Sequence, residues 1–64
     1  MTEQQHLRLL ALQHALKKRA VPVGPLHSLW DIIFDIQAFM EGKPTILKKT
    51  AEEWISYAEK LLKD

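Results

Sequence analysis

The chain has 64 residues, which predicts a single domain over 1–64 and leaves no room for a second. At this size folding buries only roughly 60% of the surface that the unfolded chain exposes, and without cysteine neither a disulfide nor a thiolate metal site can supplement so small a core. Nine basic side chains against eight acidic ones, a net charge of +1, fall far short of the basic excess that a phosphate backbone rewards.

Apolar residues recur every three or four positions almost from end to end, so the predicted class is all-α, with three helices at about 3–20, 27–41 and either 46–63 or 51–63. The first helix starts at Thr2, whose hydroxyl can accept from the amide of Gln5 while the Gln5 side chain reaches back, a capping box. Leu9, Leu12, Leu16 and Ala20 form its main apolar stripe, and Leu7 and Leu10 lie on a different face beside His14. Val21-Pro22-Val23-Gly24-Pro25 then forbids continuous helix.

The second helix carries Leu26, Leu29, Ile33, Ile36 and Met40 as a continuous seam, widened by Ile32 and Phe39 on one side and by Trp30 and Phe34 on the other. Such width predicts the central helix of the bundle. His27, Ser28, Asp31, Asp35 and Ala38 form its remaining, wet face. Gly42 and Pro44 separate it from the third helix. That helix starts at Thr45 or at the capping box Thr50-Ala51-Glu52-Glu53, and turns Trp54, Ile55, Ala58, Leu61 and Leu62 to one side. Glu59 stands four residues before Lys63, the favourable order for an exposed ion pair.

His27, Asp31 and Asp35 make the most site-like constellation, since ligands one turn apart can share a metal. Acids in the first turns of a helix also favour its dipole, and a polar stripe on an apolar helix is simply its solvated side, so no metal site is expected. If Ser28 caps the helix, His27 falls outside it and the spacing loses its meaning. His6 and His14 have no partner that would make either a general base, and Gly42-Lys43-Pro44-Thr45 lacks the earlier glycine of a phosphate loop. Neither an enzyme, a cofactor nor a small-molecule substrate is expected.

Two basic groups, Lys17/Lys18/Arg19 and Lys43/Lys48/Lys49, raise the alternative of a small nucleic-acid-binding regulator. If the helices run up, down and up, the groups sit at opposite poles and only a dimer would join them. The first run also suits a helix C-terminus and would face Asp31 across the start of the second helix. The amino-terminal residues show no basic stretch leading into an apolar one, and no apolar run could span a bilayer, so a soluble cytoplasmic protein without a membrane partner is expected.

The leading expectation is therefore a compact three-helix bundle, up-down-up, completed by self-association as a homodimer or by another protein. It would be a small regulatory, inhibitory or assembly factor. Surplus hydrophobicity carries this: Trp30 and Phe34 on the second helix, with Leu7 and Leu10 on the first, lie outside the stripes that a three-helix core needs.

Overall fold

A computed structural model describes residues 1–20 and 27–63, which form three helices and no strand. Helix α1 (Glu3–Arg19) begins as its capping residues require. Thr2 remains extended, its hydroxyl oxygen accepts from Gln5 N–H at 3.2 Å, and Gln5 Oε1 accepts from Thr2 N–H at 3.0 Å. Both halves of the capping box are present. Lys17, Lys18 and Arg19 occupy the last turn, beside the carbonyls that favour positive charge. The break read at Val21-Pro22-Val23-Gly24-Pro25, and Leu26 of the seam, lie outside the described residues.

Helix α2 (His27–Met40) includes Ser28 within its first turn, so Ser28 is not its cap. Its far end closes on Gly42 at φ +75°. Gly42 N–H donates to Phe39 O at 3.1 Å and Lys43 N–H to Ala38 O at 2.8 Å, the two bonds of a Schellman stop. Glycine suits this position because a Cβ in the left-handed region crowds the adjoining carbonyl.

Helix α3 (Ala51–Lys63) takes the later of its two possible starts. Thr50 Oγ1 accepts from Glu53 N–H at 3.3 Å, while Thr45 spends its hydroxyl on Leu47 O at 2.9 Å, inside the connecting segment. The return half of this capping box is different from the one expected: Glu53 Oε1 accepts from the Thr50 hydroxyl at 3.1 Å.

Leu9, Leu16 and Ala20 from α1 and its cap, Ile33 and Ile36 from α2, and Trp54, Ile55 and Ala58 from α3 form the buried core. Each belongs to a stripe visible in the sequence, and a fully buried leucine or isoleucine contributes about 1.5–3 kcal/mol. The order of packing is not the expected one: α1, not α2, lies along both other helices. Gln13 explains how. It stands one turn after Leu9 and one before Leu16, at the edge of their stripe, is 3% exposed, and donates from Nε2 to the α2 carbonyl of Ile33 at 3.2 Å. Arg8, on the other flank of α1, pairs with Glu59 of α3. The width of α2 serves other contacts. Phe39 meets Trp54 of α3 with ring centroids 6.4 Å apart, and Trp54 also meets Tyr57 edge-on at 6.1 Å. No helix among the described residues is long and apolar enough to cross a membrane.

Candidate interaction surface

Trp30 and Phe34 stand four residues apart on α2, which places them one above the other on its surface. Their rings are tilted by 34° with centroids 5.8 Å apart. The two residues divide the work between them. Trp30 is half-buried and packs against the core, with its Nε1–H buried and no acceptor among the described residues, whereas Phe34 is 59% exposed. Leu10 of α1 is half-buried and Leu7 is 58% exposed. The Gln13–Ile33 bond fixes the register between the helices.

The polar face of α2 beside Phe34 is arranged otherwise. Asp35, read from the sequence as part of the solvated side, is only 6% exposed. The connecting segment folds back over it: Oδ1 accepts from Ile46 N–H at 2.7 Å and Oδ2 from Leu47 N–H at 2.9 Å. Two backbone donors thus replace the water that the carboxylate gives up. Asp31 remains exposed, as expected of that face. His27 opens α2, so its position does share a helical face with Asp31 and Asp35. Both oxygens of Asp35 nevertheless face backbone amides, and no cluster of three metal-ligating side chains occurs among the described residues.

The basic residues stay in their two groups. Lys18 and Arg19 are exposed and Lys17 half-buried at the end of α1. Among the described residues none of them pairs with Asp31; the ion pairs found are Arg8–Glu59 and Lys43–Glu41. Lys43 lies 3.0 Å from Glu41, and its hydrogen bond, followed by one from Gln37 and by the lysine's charge, holds the Glu41 carboxyl below its usual range. Lys49 sits over the Tyr57 ring, 4.9 Å from its centroid, a cation–π contact. Two of the three lysines in the second group are therefore engaged within the chain. Glu59, expected to pair with Lys63 along α3, turns instead to Arg8, because packing brings α1 alongside.

An open groove of about 720 Å³ runs between α1 and α3, lined by Arg8, Glu52, Ser56, Glu59, Lys60 and neighbouring side chains. Its arginine is engaged by Glu59.

Of the two buried polar groups, Gln13 had no assigned role in the sequence reading and Asp35 was read as part of the solvated face. Gln13 is detectable there, because it stands one turn from both Leu9 and Leu16, at the edge of their stripe. Asp35 offers no such signal: its partners are the amides of a non-helical segment eleven and twelve residues away.

In comparisons with known proteins, the chain matches no family model, no curated protein and no solved structure.

Proposed function

We propose that this protein works by binding another protein rather than by catalysis, as a small regulatory, inhibitory or assembly factor, and that its simplest form is a homodimer. The observation that carries this reading is Phe34, a large aromatic ring 59% exposed and stacked beside half-buried Trp30. Exposed apolar area of this kind is costly in water, and buried aromatic anchors dominate the energy of many interfaces. A core limited by chain length gives association a second benefit, since a partner that binds only the folded state stabilises it. A dimer built on this surface is isologous, with each Phe34 entering the same site on the other copy.

Sedimentation equilibrium across the micromolar range tests the reading, together with circular dichroism melts of Phe34→Ala and Trp30→Ala. Phe34→Ala is expected to keep the melting temperature of the monomer and weaken association by at least about tenfold, or 1.4 kcal/mol. Trp30→Ala is expected to destabilise the fold by about 2–4 kcal/mol, because its ring packs on the core. A wild type that stays monomeric throughout defeats the dimer. A Phe34→Ala variant that unfolds returns this ring to the core and removes the proposed surface.

A further inference from the structure

The net charge of +1 conceals how the charges are placed. On α3 the acids Glu52 and Glu53 occupy the first turn and Lys60 and Lys63 the last, while on α1 Glu3 opens the helix and Lys17, Lys18 and Arg19 close it. Whether these ends coincide depends on how the two helices lie together. Arg8 pairs with Glu59, and Thr2 and Gln5 line one groove with Glu52 and Ser56. If the helices ran in opposite directions about the Arg8–Glu59 pair, Glu52 would stand beside Ala15 and Thr2 would lie past the end of α3, roughly 20 Å away at 1.5 Å per residue. The α1 side of the groove runs only from Thr2 to Arg8. That lining fits helices pointing the same way, which brings their basic ends together.

Lys60 and Lys63 line the groove beside Arg8, and both are exposed. Arg19, also exposed, follows Arg8 by eleven residues, close to three whole turns, so it points to the same side of α1 about 16 Å further along. Glu59 occupies Arg8, whereas Lys60, Lys63 and Arg19 have no ion pair among the described residues. Asp31 belongs to another side of the molecule: α2 lies where Gln13 points, and five positions after Arg8 is about 140° around α1. The apolar side chain that lines the groove, Ile55, is itself buried, and no aromatic ring lines it.

We propose that Lys60, Lys63 and Arg19 form a strip that contacts the phosphate backbone of double-stranded nucleic acid without regard to sequence. The lack of an apolar anchor selects this partner. Exposed cations add little to the binding of a protein unless apolar side chains are buried with them, whereas each contact to a duplex phosphate releases condensed counterions and contributes alone. A duplex carries one charge per about 1.7 Å of its axis, so a strip of about 16 Å runs beside several phosphates. Single strands fit less well, because no ring is at hand for their bases to stack on. Glu52 and Glu53 turn phosphate away from the other end and confine the contact to the basic half. The strip uses Lys60 and Lys63 where the sequence pointed to Lys43, Lys48 and Lys49, and it needs no dimer. It is separate from Phe34 and stands independently of the protein-binding reading.

The full chain is titrated into a short labelled duplex DNA of mixed sequence. Fluorescence anisotropy at about 50 mM salt is expected to give a Kd below about 100 μM, weakening roughly fortyfold by about 200 mM, since three contacts set the slope of log K on log salt near −2.7. Lys60→Gln combined with Lys63→Gln is expected to weaken binding at least about tenfold and flatten the slope toward about −0.9. Glu59→Gln, which removes the acid of the strip and releases Arg8, is expected to tighten binding and steepen the slope by about 0.9. Lys48→Gln is expected to change neither, and circular dichroism should show every variant folded. No binding at the lower salt, a slope unmoved by the double variant, or a loss with Lys48→Gln equal to that with Lys63→Gln each overturns the proposal. So does polyglutamate bound as tightly as the duplex, which makes the strip a docking surface for an acidic protein instead.

Discussion

Replacing Asp35 by alanine removes both acceptors that hold the connecting segment against α2. A hydrogen bond to a charged group contributes about 1.5–3 kcal/mol net. The lower end applies here, because Ile46 is exposed and its amide regains water once the segment lifts away. Two such bonds give about 3 kcal/mol, and the better helix propensity of alanine returns roughly 0.5 kcal/mol. The expected loss is therefore about 2.5 kcal/mol, a large share of the roughly 3–10 kcal/mol typical of a chain this short. At about 4–8 °C per kcal/mol the melting temperature should fall by roughly 10–20 °C. Urea titration followed by circular dichroism measures the loss, and hydrogen exchange locates it, with protection lost at the Ile46 and Leu47 amides before the core amides of Leu9 and Ile33. Asp35→Asn should recover less than half, since its NH₂ group presents a donor to one of the two donors. An Asp35→Ala variant within about 0.5 kcal/mol of the wild type, with unchanged exchange at Ile46 and Leu47, refutes the assignment of Asp35 as the anchor of this segment.

Two further outcomes follow from the C-terminal end of α2. Gly42→Ala meets no atom within 4 Å of the added Cβ, so its cost is purely the left-handed backbone, about 1–2 kcal/mol in a chemical denaturation curve; an unchanged midpoint refutes the Schellman stop. Lys43→Gln should raise the Glu41 carboxyl back toward its ordinary range, read by NMR titration of the Glu41 side chain. Because the folded value lies below the unfolded one, this pair stabilises at pH above the unfolded carboxyl pKa, and the contribution is lost as pH falls through the folded value. Both partners are exposed, so the titration curve, rather than global stability, is the sensitive readout.

Much of the local structure is readable from the residue order. Thr2 with Gln5, Gly42, and Thr50 with Glu53 mark helix ends through bonds between positions three to five apart, and such bonds need no tertiary partner. The core stripes Leu9/Leu16, Ile33/Ile36 and Trp54/Ala58 follow from the 3.6-residue period alone. Of the proposed surface, the sequence shows that Trp30 and Phe34 share a flank, because four-residue spacing on a helix dictates it. It does not show which of the two packs inward. Periodicity measures the width of an apolar arc without naming the neighbour that covers it. For that reason the breadth of α2 suggested a central helix, while in the folded chain α1 takes that place by spending Gln13 on Ile33 and Arg8 on Glu59. Asp35 makes the same point from the polar side. On an isolated helix its carboxylate belongs in water, and only the return of Ile46 and Leu47 supplies the two amide donors that let it be buried and hold Ile46 in view.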